Sequence, residues 1–299
     1  MPTPTLKLSS SDNIGHMAII PGSERVERLA TGNEASVLNF LSARPAHTAY
    51  MAGLVYTNGL ESQANRGDFH AYYNRDNTLE GVALVGHAVT FEARSVNATQ
   101  ALARHARRHT NTALIRCERD KLEQFWQAYA TVGRGAHLTC QEQLLELTTR
   151  SAACDSDYEL RRASPDELEE VISMNVELAL DERGNDPLKA DPEGFRQRVL
   201  RRIRRGQVWI LTLQGKVVFK AEIITRTPEV VYLEGIYVRN EERGKGHGVR
   251  SMRQLGHILL KEASALCVFV NQSNHAAQAL YRKAGYQAVG HYDTIYLLR

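Results

Sequence analysis

The spacing of apolar positions along the chain changes several times, and each change predicts an element. In NEASVLNFLSARP (33–45), Val37, Phe40 and Leu41 line one side of a helix that Pro45 ends. Alternation then takes over. GDFHAYYNRDNTLEGVALVG, from Gly67 to Gly86, is two strand-like runs joined by the Asn/Asp cluster NRDN, which predicts a hairpin. A helix over ATQALARHARRH, a short strand TALIRC, a helix through KLEQFWQAY and a strand-like EQLLELTT complete this half.

From about Thr149 to Asp157 the residues turn small and polar, which predicts a boundary between a unit at 1–150 and a second at 158–299. The second half starts afresh with strand YELRRA and helix SPDELEEVISMN. There Ser164 is the predicted N-cap, Pro165 the first helical residue and Glu167 the capping-box acid. After the polar segment LDERGNDPLKADPEG, Phe195, Val199 and Ile203 recur every four residues in FRQRVLRRIRRG, a helix with its arginines on solvated faces. Strands VWILTL, VVFKAEII and VVYLEGIYV follow, separated by turns QGK and TRTPE. Next come a glycine-rich loop, helix RSMRQLGHILLKEASA, strand LCVFV, helix NHAAQALYRKA and a last strand near HYDTIYLL. The order β-α-α-β-β-β-α-β-α-β predicts an α/β fold with a mixed central sheet flanked by helices.

Composition narrows the function classes. With 43% hydrophobic and 24% charged residues over 299 positions, the chain is that of a packed globular protein. No window approaches the roughly 18 apolar residues of a membrane span, and MPTPTLKLSSSDNIGH lacks the blocks of a signal peptide, so a cytoplasmic protein without membrane partners is expected. Cys117, Cys140, Cys154 and Cys267 lie without C-x-x-C or Cys/His ligand spacing, which predicts free thiols and no metal site. The arginine-rich patches at 103–110 and 195–206 raise nucleic acid or the ribosome as a partner. The apolar stripe beneath the second patch and the absence of interleaved aromatics disfavour that reading.

The chemistry concentrates in VRNEERGKGHGVRSM, where Gly244, Gly246 and Gly248 fall between a strand and a helix. Such a loop offers unpaired N–H groups and a helix dipole to an anion. Gly244-Lys245 is followed by Gly246, which excludes a P-loop. A dinucleotide fold would need further βα units, and the chain has little room for them.

Arg243 to Gly248 spells R-x-x-G-x-G, and Asn274, Ala277, Tyr281 and Gly285 fit N-x-x-A-x-x-x-Y-x-x-x-G-F, with Tyr286 for Phe. In both motifs the region from Tyr158 to Arg299 resembles the GNAT superfamily of acetyl-CoA-dependent N-acyltransferases. The first half resembles a degenerate second copy, so two such domains in tandem are expected, with no coenzyme site in the first. What the resemblance implies is acetyl-CoA as co-substrate, its pyrophosphate cradled by Arg243, Gly244, Lys245, Gly246, His247 and Gly248. Backbone groups of Ile236, Tyr237 and Val238 would pair with the pantetheine arm, and Asn274 would hold it or simply cap the next helix.

Tyr281 would be the general acid that returns a proton to the leaving thiolate. For the base, some relatives carry a glutamate on the fifth strand where this chain has Phe269, which leaves Glu234, Glu222 or a water chain. The segment between the first two helices would wall the acceptor site. Its Glu177, Asp181, Glu182, Asp186, Asp191 and Glu193 suit a cationic small-molecule or peptide amine, or are a solvated loop. A regulatory module that binds acyl-CoA without turnover is the rival reading.

Overall fold

The computed structural model describes residues 23–130, 135–150, 160–184 and 186–298. The leader reading at residues 1–16, most of the expected boundary (151–157) and Cys154 lie outside the described residues. Among the described residues, no helix is long and apolar enough to cross a membrane.

The first half contributes strands β1 (Arg25–Arg28), β2 (Gly67–Tyr73), β3 (Leu79–Gly86), β4 (Ala88–Ala93), β5 (Leu114–Glu118) and β6 (Ala136–Leu147). Its helices are α1 (Glu34–Leu41), α2 (Pro45–Asn58), α3 (Val96–Ala106) and α4 (Arg119–Tyr129). The second half contributes β7 (Leu160–Arg162), β8 (Val208–Leu213), β9 (Lys216–Arg226), β10 (Val230–Val238), β11 (Ala265–Asn271) and β12 (Gln287–Leu297). With them come α5 (Leu168–Arg183), a short α6 (Pro187–Ala190), α7 (Pro192–Arg204), α8 (His247–Leu259) and α9 (His275–Ala284). The predicted hairpin forms as β2 and β3, and Glu167 accepts the Ser164 N–H at 2.7 Å as the capping box requires.

All these strands join one sheet in the order β1-β2-β3-β4-β5-β12-β6-β11-β10-β9-β8-β7. Each half thus sends its last strand across. β6 pairs antiparallel with β11 and β12, while β12 pairs antiparallel with β5 and β6. The β6 sequence suits a central position. Leu144 enters a core under α2, whereas Leu145 and Leu147 enter the core under α8 and α9 on the opposite face. Neighbouring apolar residues pointing to both faces mark a strand covered on both sides.

The helix pattern of the first half needs one correction. Pro45 does not simply end a helix: α1 stops at Leu41, and Pro45 occupies the first turn of α2. α2 has no clean apolar stripe because it is buried on two sides. Met51 and Val55 pack in the first half's core, while Ala46 and Ala49 pack against Tyr232 and Cys267 of the second. A Cβ on Gly53 would fall 2.1 Å from Thr225 Cβ on β9, so only glycine lets the helix lie this close. Thr225 Oγ1 seals the contact by donating to the Ala49 carbonyl at 3.0 Å.

A charged cluster fastens the start of α2 to the sheet. Arg44 binds Glu118 at 2.6 Å and Glu92 at 3.1 Å, and Lys121 reaches both carboxylates. Burial opposes ionisation of Glu118, but Arg44 and Lys121 outweigh it and bring its pKa to about 2. His47 Nδ1 lies 2.8 Å from the Tyr292 hydroxyl, which ties α2 to the exchanged strand β12.

Candidate active site

β10 and β11 run parallel and are paired only from Val230↔Ala265 to Leu233↔Val268. Beyond Leu233 they part. β11 stays paired with β6 as far as Asn271, and β10 stays paired with β9 as far as Val238. The cause is a bulge in β10: Glu234 faces Glu222 and Tyr237 faces Lys220, so Gly235 and Ile236 sit opposite Ala221 alone.

Gly235 takes φ +61°, and its carbonyl accepts the Lys220 ammonium at 2.7 Å. Lys220 also binds Glu222 at 3.0 Å, and Arg202 of α7 bonds the other Glu222 oxygen. Lys220 is 0% exposed and Glu222 3%. Burial opposes the charge on Glu222, but Lys220 and Arg202 prevail and set its pKa at about 2. This carboxylate is committed to holding the bulge, which argues against the base role weighed for Glu222.

The loop after β10 lies at the same end of the sheet. Gly244 and Gly246 adopt φ +79° and +86°. No atom lies within 4 Å of a Cβ built on Gly244, and the nearest to one on Gly246 is Arg250 Nε at 4.0 Å. Open space therefore faces both. Gly246 is the N-cap of α8 and has no side chain to satisfy the first-turn N–H groups. Gly248 differs from the expected phosphate-cradling role: it is helical, and its Cβ would stand 2.6 Å from Leu280 Cδ1 and 3.1 Å from Val238 Cγ2. Its smallness lets α8 close on α9 and β10.

Arg243 folds back over the Tyr237 ring at 5.0 Å, donating to the Val238 carbonyl at 3.1 Å and to Asp181 at 2.9 Å. Glu242 lies between Lys245 at 3.0 Å and His247 at 3.3 Å. Ile236 and Val238 pack against the core under α8, whereas Tyr237 is buried on the other face with residues of α5 and α7. Asn274 caps α9, its Oδ1 accepting the Ala277 N–H at 3.0 Å.

Tyr281 is 5% exposed in the core under α8 and α9, edge-on to Tyr286 at 5.7 Å. Burial, then the charge of Glu182, pushes its pKa well above the usual phenol value, so it keeps its proton at neutral pH. Glu234 is exposed on the opposite face, where it accepts a hydrogen bond from the buried Tyr232. The two can meet at one substrate only through the opening between β10 and β11.

Residues from the first half crowd the Glu234 side. Arg116 of β5 stacks 4.6 Å from the Phe269 ring, bonds Tyr232 and lies 3.4 Å from Glu142 of β6. Tyr50 of α2 feels the Glu234 charge, although burial is the larger cause of its raised pKa. Sequence reasoning missed all of these, since no local signal links positions this far apart along the chain. Most of the expected acidic wall is already engaged: Glu177 with Arg239, Asp181 with Arg243 and Asp191 with Arg198. Asp186 caps α6 and Glu193 accepts from Gln197.

Residues 173–286 match the family model of the acetyltransferase (GNAT) family. That stretch runs from within α5 to the residue before β12 and resembles a GNAT domain. Solved structures extend the likeness of fold to both halves. An acetyltransferase of the GNAT family from Colwellia psychrerythraea aligns over 92% of this chain and 100% of its own, with a TM-score of 0.55 at 13% identity. A GCN5-related N-acetyltransferase from Sphaerobacter thermophilus covers 92% and 96%, with a TM-score of 0.58 at 12% identity. A tandem GNAT protein from the clavulanic acid biosynthesis pathway covers 91% and 98%, with a TM-score of 0.53 at 14% identity. No curated protein matches the chain. In the first half, β4 runs into α3 through Arg94 and Ser95, with no glycine between them. There Ser95 occupies the N-cap, accepting the Ala98 N–H at 3.2 Å and donating to Glu80 at 2.6 Å.

Proposed function

We propose that the GNAT domain transfers an acetyl group from acetyl-CoA to a primary amine by direct attack. The observation that carries this reading is the convergence of the β10–β11 opening with an α8 N-terminus entered through two open, positive-φ glycines. An anion there meets several N–H groups and the positive end of the helix dipole. The N–H groups of the Arg243–Gly248 loop would take the pyrophosphate, and Arg243 would exchange Asp181 for phosphate. Backbone groups of Ile236 to Val238, freed from β11, would hold the pantetheine arm, with Asn274 at the far side.

In the reaction the amine nitrogen attacks the thioester carbonyl, the C–S bond breaks, and the thiolate takes up a proton. Glu234 would draw the proton from the incoming ammonium, directly or through water, because Glu222 is held in its ion pairs. Tyr281 would supply the proton to sulfur, which its high pKa suits once a thiolate forms. The acceptor would enter beside Glu234 and Tyr50, so α2 of the first half would help shape its pocket. With Ser95 and Glu80 filling the glycine-free turn between β4 and α3, we assign one acetyl-CoA to each chain. Among the described residues, Cys117 and Cys267 are buried thiols outside any disulfide, which fits a reducing cytoplasm.

Release of free coenzyme A from acetyl-CoA, followed against a panel of primary amines, tests this reading. Amine-dependent release is expected. A protein that does not bind acetyl-CoA, or that releases no coenzyme A with any amine, would overturn it.

A further inference from the structure

Far along the sheet from the glycine loop, three histidines of the first half come together. His70 stands on β2, His105 in the last turn of α3, and His109 in the turn that follows. Ring centroids are 4.2 Å apart for His70 and His105, 5.7 Å for His105 and His109, and 6.0 Å for His70 and His109. One nitrogen of each lies within 4.8 Å of the other two.

One hydrogen bond and one unmet buried nitrogen mark two of these rings as open to a ligand. His70 Nδ1 lies 3.1 Å from the Asp68 carbonyl, which can only accept, so Nδ1 carries the hydrogen and Nε2 is left as a bare lone pair. His105 Nε2 is buried without a hydrogen-bond partner among the described residues. An unmet buried nitrogen is costly unless something coordinates it.

We propose that His70, His105 and His109 bind a zinc ion that pins the end of α3 to β2. Three imidazoles with no thiolate or carboxylate suit a borderline ion such as zinc and not magnesium or calcium. Tetrahedral zinc with ligands at about 2.05 Å separates its nitrogens by about 3.3 Å, so each ring needs to move inward by roughly an ångström. The bond from His70 to the Asp68 carbonyl supplies the outer contact that orients a metal-binding imidazole. His105 and His109 are half-buried, which leaves room for water as the fourth ligand. Burial, then the neighbouring His109 and Arg108, disfavours positive charge on His105, and three protein ligands make a weaker site than a closed four-ligand one.

The test uses the untagged full-length chain, stripped with a chelator and titrated with zinc chloride by calorimetry. Cobalt(II) absorption serves as a second probe. Because His70 is buried, its removal risks the fold, so His109→Ala carries the test and His105→Gln repeats it. The wild type should bind one ion in this site, show the strong visible bands of tetrahedral cobalt, and melt higher with zinc. His109→Ala should match the wild-type melting point in chelator, lose the zinc-dependent rise, and bind zinc at least about 10- to 100-fold more weakly. Absence of zinc binding in the wild type, or equal affinity and cobalt spectrum in folded His109→Ala, would overturn the assignment.

Discussion

Replacing Lys220 by Met would test whether a buried ion pair holds the opening between β10 and β11. The ammonium has two partners, Glu222 at 3.0 Å and the Gly235 carbonyl at 2.7 Å, and neither charged side chain is more than 3% exposed. Glu222 falls from an ordinary 4.5 to about 2 in this setting. Such a displacement corresponds to about 3 kcal/mol of stabilisation, shared between Lys220 and Arg202. Removing one partner of a buried pair typically costs about 3–5 kcal/mol because a bare charge remains. Arg202 stays bonded to Glu222, which places Lys220→Met at the lower end of that range.

The pH dependence follows in sign. A depressed carboxylate contributes fully above its unfolded pKa, so this stabilisation should be present above about pH 4.5 and fade as pH falls toward 2. Urea unfolding from pH 7 down to pH 3 would measure it. The wild type should lose stability faster on acidification than Lys220→Met does. In Lys220→Met/Glu222→Leu both buried charges go, so much of the stability should return. The Gly235 carbonyl lacks its donor in both variants, so acetyl-CoA affinity should fall in both. A Lys220→Met protein within about 1 kcal/mol of wild type, the scale of an exposed pair, would refute the reasoning.

Gly246→Asp should weaken acetyl-CoA binding in calorimetry by at least about 10-fold, since a like charge a few ångströms from phosphate costs more than about 1.4 kcal/mol; unchanged affinity in a folded protein would remove the loop from the site. Tyr281→Phe should lower turnover by roughly 10² to 10⁴ with acetyl-CoA affinity nearly constant, as loss of a general acid does; a wild-type rate with chemistry rate-limiting would return Tyr281 to packing. Gly53→Ala should cost about 1–3 kcal/mol in urea unfolding, because its Cβ would meet Thr225 at 2.1 Å. Deleting residues 287–299 removes β12 from between β5 and β6, and loss of cooperative unfolding across both halves is the expected outcome.

Local pattern was enough for the order of elements in the second half except the short α6, which lies in the segment read as polar. Its strands alternate or run continuously apolar, its helices carry caps and stripes, and the two motifs that resemble the GNAT superfamily lie within short windows. The positive-φ glycines were legible because few other residues tolerate that backbone. α2 was not, because a helix buried against both halves loses the periodic contrast that marks an amphipathic one. β1 and β4 were missed as well. His105 and His109 carry a helical i, i+4 spacing that could have been noticed, but only the β2–α3 packing adds His70.

Sequence by itself therefore determined the glycine loop, the identity of the residues around it and, α6 aside, the secondary elements of the second half. Tertiary structure alone decided that β6 and β12 change places, since a strand's backbone hydrogen bonds are satisfied equally well by any edge of the right twist and register. It also decided that Lys220 and Glu222 hold the bulge, that Gly248 serves packing, and that Arg116, Glu142 and Tyr50 stand beside Glu234. These are contacts between distant positions, and a pairing between side chains that far apart leaves no periodic trace in either segment.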